Sequence, residues 1–468
     1  MRRAEREGEP RRVSSGRVAH QKPARAGPTA RGSGESRLGR GGDEARLARD
    51  EGEGLGRADL LGQVLASANM ASAWKRVKAN RGSAGVDGLT IAQAAVYLKT
   101  QWPRIREELQ TGRYRPQPVR RVQIPKPGGG VRELGIPTVT DRLIQQALLQ
   151  VLQPRIDPSF SESSYGFRPG RRAHDAVRQA QCYVQDGYRV VVDVDLEKFF
   201  DRVHHDVLMD RLAKRIEDKA VLRLIRRYLG AGILGNGVVM ERHEGAPQGG
   251  PLSPLLANVL LDEVDRELER RGHRFVRYAD DCNVYVRSQR AGERVLAGLR
   301  RLYGRLHLKV NEAKTAVASA LGRKFLGYCL RAGPGGEIKR AVHPKSLDTF
   351  KARIRRITRR SGGRSLAEAA EQLRAYMPGW KAYFQLAQTP RVFRSLDEWL
   401  RHRLRALQLK HWKRGTTIYR ELRGLGASEV QAARVAANAR RWWRNSAMEL
   451  NRHLPIAFFD RLGVPRLS

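Results

Sequence analysis

The sequence predicts an α+β domain followed by an all-helical one. Three observations lead there. Short apolar stretches with strand-like alternation are interspersed with helix-spaced stretches as far as Tyr328. Two of the strands run into carboxylates, at Tyr278-Ala279-Asp280-Asp281 and at Asp195. From Pro344 onward the pattern turns helical and more basic. The expected organisation is a disordered basic tail over 1–57, a mixed domain over 58–344 and a helical domain over 345–468.

Taken in order, residues 1–57 are rich in Gly, Arg, Glu and Ser and lack aliphatic periodicity. Order begins near Ala58, where Leu60, Leu61, Val64, Leu65 and Ala68 fall at helical spacing. A turn-rich loop over Ser83–Gly88 precedes a helix expected over Ile91–Leu109. Val119–Ile124 and Val131–Ile136 flank Pro127-Gly128-Gly129-Gly130, the pattern of a β-hairpin. No Gly-Lys-Ser/Thr follows these glycines, which excludes a P-loop.

Further on, Tyr188–Val194 reads as an apolar strand ending in Asp195, with a helix starting near His204. Gln248-Gly249-Gly250 reads as a turn before a Leu252–Leu268 helix. Arg274–Arg277 and Asn283–Val286 read as two strands around the Asp280-Asp281 turn.

The 468 residues suffice for two or three domains, and 41% hydrophobic content suffices for their cores. Lys and Arg number 89 against 48 acids, a net charge of +41. Such an excess indicates a polyanionic partner, most simply nucleic acid, with a solubility charge or a membrane-surface role as the plainer alternatives. Residues 345–468 hold 27 basic and 9 acidic residues, whereas 58–344 hold 48 and 30. The C-terminal part is thus more than twice as positive per residue. Its aromatics, Trp380, Tyr383, Phe384, Trp399, Trp412, Trp442 and Trp443, fit helix packing, with a minority beside basic faces suited to base stacking.

Cys182, Cys282 and Cys329 lie far apart with no CxxC pair, which speaks against zinc knuckles and a disulfide framework and for a reducing, cytoplasmic compartment. No run of 18 apolar residues suggests a membrane span, and the Arg-rich start lacks the apolar core of a secretory signal.

The acids carry the chemistry. Adjacent carboxylates repel and are costly to desolvate. Asp280 and Asp281 tolerate each other best beside a divalent cation, and Mg²⁺ prefers oxygen ligands. Asp195 supplies a third acid, with Asp193 and Asp201 as nearby alternatives. Asp193 and Asp195 share one face of their strand. Taken alone, these acids read equally as solvent-facing groups or helix caps. Three acids on two strands of a basic chain suggest two-metal phosphoryl transfer.

Five ordered blocks then resemble one family, the group II intron-encoded reverse transcriptase/maturase. They are Ile124-Pro125-Lys126-Pro127 through Arg132 to Pro137–Arg142; Tyr165–Arg171; Asp195 through Phe200-Asp201; Ala246–Pro254; and Tyr278–Asp281. Leu308–Thr315 and Phe325–Tyr328 follow in the family's order. The resemblance covers about Ala58 to Leu467. It implies a right-hand polymerase, with fingers, an antiparallel palm sheet carrying the acids, and a helical thumb with a maturase-specific region.

By the same resemblance, Asp195, Asp280 and Asp281 are the catalytic acids and hold two Mg²⁺ ions. Lys126 and Arg132 meet the incoming triphosphate; the residues alone read as solvated strand charges. Gln248 meets the incoming nucleotide. Phe200 walls the pocket beside the sugar C2′ and favours deoxynucleotides, although Phe199-Phe200 alone reads as core. Lys314 protonates pyrophosphate, although a lysine after an Asn-Glu turn is usually a surface residue.

The implied function is RNA-directed DNA polymerase of a mobile group II intron. It extends a DNA primer with dNTPs and binds intron RNA to assist its splicing. The implied partners are intron RNA and a DNA target. The absence of the family's Cys pairs and His/Asn cluster before Ser468 points to its short, endonuclease-lacking branch. One alternative is another reverse transcriptase class, retron or defence-associated, which would not need the long basic helical region. A second is a splicing-only RNA-binding maturase. Intact Asp195, Asp280, Asp281, Gln248 and Lys126 speak against the latter.

Overall fold

The computed structural model describes residues 59–125, 130–235, 238–240, 242–447 and 449–468. The tail expected over 1–57 lies outside them, as do Lys126 and the Pro127–Gly129 part of the hairpin loop.

The first predicted helix forms as two, Leu60–Leu65 and Ser67–Asn80. The break falls at Ala66, whose ψ of 136° is extended and whose amide turns back to the Gln63 carbonyl. The next helix runs Ile91–Gln110, and its start is fixed by a reciprocal cap between Thr90 and Gln93.

Among the described residues ten strands follow in chain order: β1 Val119–Pro125, β2 Val131–Ile136, β3 Val190–Val194, β4 Ile233–Gly235, β5 Val238–Met240, β6 Arg274–Tyr278, β7 Asp281–Val286, β8 Ala316–Ser319, β9 Tyr328–Ala332 and β10 Ile338–Val342. They form sheets in the orders β2-β1-β4-β5 and β6-β7-β3-β8, with β9 and β10 as a separate pair. β1 and β2 are an antiparallel hairpin with Pro125 opposite Val131, as the flanking apolar stretches predict.

β3 is shorter than the expected Tyr188–Asp195. The Tyr188 amide closes the end of the preceding helix by donating to the Tyr183 carbonyl at 3.0 Å. The Asp195 amide donates to the Thr315 hydroxyl at 3.2 Å, outside any ladder. Neither end is free to extend the strand.

The chain divides into two compact units. One comprises the described residues up to Arg172, Asp193–Asn283 and Val295–Thr315; the other comprises Ala173–Val192, Val284–Arg294 and Ala316–Ser468. In the first, the helices Val139–Ile156 and Ser253–Arg270 are buried over much of their length, and polar residues such as Asp141, Gln145, Asn258 and Asp265 are buried with their apolar ones. Thr138 caps the former by accepting from the Asp141 amide at 3.0 Å. The buried Asp141 carboxylate in turn accepts from Tyr114 Oη at 2.8 Å, Thr138 Oγ1 at 2.7 Å and the Gln117 amide at 3.2 Å. The Thr138–Arg142 block therefore has a structural job, anchoring the start of this helix.

In the second unit, helices Pro344–Ile357, Leu366–Phe384 and Pro390–Trp412 pack around a core that includes Phe350, Leu373, Met377, Leu400 and Leu404. Among the described residues no helix is long and apolar enough to cross a membrane.

Candidate active site

Every described residue singled out for catalysis or nucleotide binding lies in the first unit. The β6–β7 hairpin closes through Ala279 and Asp280, and Ala279 takes the left-handed φ of +58°. A residue with a Cβ seldom adopts that conformation, and neighbours must hold it there. One neighbour is Gly166: a Cβ on it would come within 2.1 Å of the Ala279 nitrogen. Glycine at 166 is thus required by the close approach of two backbones.

Asp195 lies one residue beyond β3 and is held by a distant segment. Its carbonyl accepts from the Asn311 amide at 2.8 Å, Leu196 bridges Val310, and the Glu197 amide donates to the Lys309 carbonyl at 2.8 Å. Asn311 and Thr315 are therefore positioning residues that motif spacing alone did not reveal. Lys314 Nζ stands 3.4 Å from Asp195 Oδ1, with the lysine 64% exposed and the aspartate 34%. Asp193 is different: with its amide oriented to suit its surroundings, Asn283 donates to Asp193 Oδ1 at 2.9 Å. A bond from the neighbouring strand occupies Asp193, whereas Asp195 meets the Lys314 ammonium.

Burial holds the Asp280 carboxyl above the ordinary carboxylate range. Its own backbone hydrogen bond opposes this, the negative charge of Asp195 adds to it, and the Arg132 and Arg277 charges work against it. Asp195, Asp280 and Arg132 thus share one electrostatic field. Asp281, the first residue of β7, is exposed. Among the described residues, no three carboxylate, imidazole or thiol side chains stand close enough to hold an ion as they are. Of the three expected acids, Asp195 acts on Asp280 through its charge, and Asp281 follows Asp280 directly in sequence. Carboxylates whose negative charges repel are, by donor chemistry, oxygen ligands that suit a hard divalent cation.

Phe199 is buried, and half-buried Phe200 packs edge-on against it at 5.1 Å between ring centres. The Phe200 carbonyl accepts from the Ala246 amide at 2.7 Å. Two residues on, the Gln248 carbonyl accepts from the Gly135 amide at 3.0 Å. Gly249 has φ +136°, and a Cβ there would meet the Gly135 carbonyl oxygen at 2.7 Å. A short backbone path therefore connects Phe200, half-buried Gln248 and the hairpin strand that carries Arg132. The helix after this loop starts at Ser253 and runs to Arg270, close to expectation.

The second unit carries a concentrated cationic face with aromatic rings. Arg355 and Arg403 flank Trp399 at 5.7 and 5.4 Å, and Arg360 and Lys410 flank Trp442 at 5.2 and 4.6 Å. Burial lowers the Arg403 pKa from its ordinary value, and the like charges of Arg355 and Arg360 lower it further. Cations that crowd one another in this way favour an anionic partner.

Residues 124–330 match the family of reverse transcriptases (RNA-dependent DNA polymerases). Residues 347–425 match the maturase-specific domain of group II introns. Protein YkfC of Escherichia coli K12 is 40% identical over 191 residues, 40% of this chain and 50% of that protein. Group II intron-encoded protein LtrA of Lactococcus lactis subsp. cremoris is 30% identical over 336 residues, 58% of this chain and 56% of that protein. The chain spans about half the length of the curated relatives it matches. A solved chain from a partial Cas6-RT-Cas1–Cas2 complex is 27% identical, with a TM-score of 0.35 over 52% of this chain and 42% of that one.

Proposed function

We propose that this chain, which carries a reverse transcriptase domain followed by a group II intron maturase-specific domain, is an RNA-directed DNA polymerase of a group II intron that also binds intron RNA to assist splicing. The observation that carries the reading is that Asp195, Asp280, Asp281 and Arg132 lie within residues 124–330, which match the reverse transcriptase family, and that the maturase-specific match follows at 347–425.

Asp195, Asp280 and Asp281 would hold the divalent magnesium. When bound, the metal supplies Lewis acidity toward the primer 3′-hydroxyl and charge neutralisation toward the triphosphate. The chain's own residues do the rest. Arg132 presents a guanidinium for the triphosphate oxygens. Lys314, 3.4 Å from Asp195, balances charge or donates a proton to the departing pyrophosphate. Phe200, braced by Phe199, limits space at the sugar and so selects deoxynucleotides. Gln248, on a loop tied to β2, contacts the incoming nucleotide. Lys126 belongs to the same proposed nucleotide-binding set and lies outside the described residues. The Arg355, Arg360, Arg403 and Lys410 face, with Trp399 and Trp442, grips intron RNA through phosphates and ring contacts.

RNA-templated primer extension by the intact chain tests the reading. Extension with dNTPs and Mg²⁺ that stops on chelation and resumes when the ion is restored supports it. No extension with the ion supplied contradicts it.

A further inference from the structure

Arg277 is 0% exposed and is the largest fully buried side chain among the described residues. A buried guanidinium is tolerated only where its charge is paired and its donors are met. Here every one has an acceptor. Nε donates to Asp265 Oδ1 at 2.8 Å and to Oδ2 at 3.0 Å. Nη2 donates to Asp265 Oδ2 at 2.6 Å and to Ser164 Oγ at 2.7 Å. Nη1 donates to Asn258 Oδ1 at 2.9 Å and to the Ala279 carbonyl at 2.9 Å. That last bond lands on the residue in the left-handed conformation, directly before Asp280.

The partners are themselves tied together. Asn258 and Asp265 project from the Ser253–Arg270 helix. Asn258 Nδ2 also donates to the Gly166 carbonyl at 2.9 Å, and Gly166 backs the Ala279 nitrogen. The Arg277 backbone donates to the Ser163 carbonyl and accepts from the Tyr165 amide, each at 2.9 Å. One side chain thus joins a buried helix, the 163–166 segment and the strained turn.

An ion pair this deep is a poor source of net stability, since apolar residues of similar volume often serve as well or better. Its distinctive output is directional: a fixed donor on one turn carbonyl. We propose that Arg277, oriented by Asp265, Asn258 and Ser164, is a positioning residue that locks the Ala279–Asp280 turn in its left-handed form and so aims the Asp280 carboxylate. This inference rests on the polymerase reading above.

The test uses the full chain carrying Arg277→Met with Asp265→Leu, which removes both buried charges together, alongside Arg277→Lys, which keeps a cation for Asp265 but lacks the fork. Asp280→Ala and wild type are the controls. Steady-state primer extension gives kcat and KM for dNTP, and hydrogen exchange reads the amides of residues 278–283. The expected result is a kcat loss of roughly 10- to 100-fold, as for misplacement of a reacting group by about 1 Å. KM should stay within about threefold, exchange at the turn should quicken, and Arg277→Lys should remain folded at the assay temperature. If the double variant does not fold, Arg277→Lys alone decides by the same readouts. Wild-type kcat in a folded variant overturns the proposal, and so does a loss confined to KM or unaltered exchange at the turn. Full extension by Asp280→Ala would instead overturn the polymerase site itself, which separates the two failures.

Discussion

The charge of Asp195 acts on Asp280: after burial and its own backbone bond, it is the next largest influence on the Asp280 carboxyl, and it pushes the pKa up. The sign has a direct consequence. In the metal-free protein, Asp280 takes up its proton at a pH above the ordinary aspartate range near 3.9. Carboxyl NMR titration should place it there, and Asp195→Asn should move its titration to lower pH. Because protons and cations compete for the same oxygens, adding Mg²⁺ should also move it lower. A titration at the ordinary value that ignores both changes would remove the coupling.

Phe200 is half-buried, with its backbone held by Ala246 and its ring braced by Phe199. Such a braced ring is a stiff wall. Phe200→Val should raise ribonucleotide incorporation relative to deoxynucleotide by roughly one to two orders of magnitude, on the scale of one to three kcal/mol for pocket discrimination. The ratio of kcat/KM values for the two sugars checks it. An unchanged ratio would place the gate elsewhere.

The cationic face of the second unit should set the salt dependence of RNA binding. Neutralising Arg355, Arg360, Arg403 and Lys410 to Gln should weaken binding to structured RNA and flatten the plot of log K against log salt. Each lost phosphate contact changes that slope by about 0.7–0.9. Filter binding over a salt series measures it, and a slope as steep as wild type would assign the contacts to other residues.

Buried Asp397 binds the last residues of the chain. It accepts from the Leu467 amide at 3.0 Å and from the Ser468 amide at 2.9 Å, and it lies 3.5 Å from buried Arg401. Asp397→Ala removes that acceptor and leaves Arg401 without its nearest carboxylate. The loss should be about 3–5 kcal/mol, typical of breaking one half of a buried pair. Denaturant unfolding checks it, and a change within about 0.5 kcal/mol would show that this end of the chain contributes little.

Much of this was legible in the sequence because it depends on local pattern. The β1–β2 hairpin, the strands on either side of Asp280 and the helical region after Pro344 all follow apolar periodicity. What local pattern could not carry was set by residues far along the chain. The end of β3 depends on Thr315, 120 residues beyond Asp195. The need for glycine at 166 comes from the Ala279 nitrogen. Arg277 read as an ordinary strand residue, since nothing in Arg274–Tyr278 announces that Asp265 and Asn258 wait on a buried helix.

On the proposed function, Asp195 and Asp280 work as one unit in nucleotidyl transfer. Single-turnover primer extension on an RNA template, with Asp195→Asn, Asp280→Asn and the double variant, tests it most directly. Each single substitution should cost at least about a thousandfold while primer–template affinity holds, and the double should be no slower than the worse single, as for groups that act together. Near-wild-type extension by either single variant, or losses that multiply in the double, would contradict it.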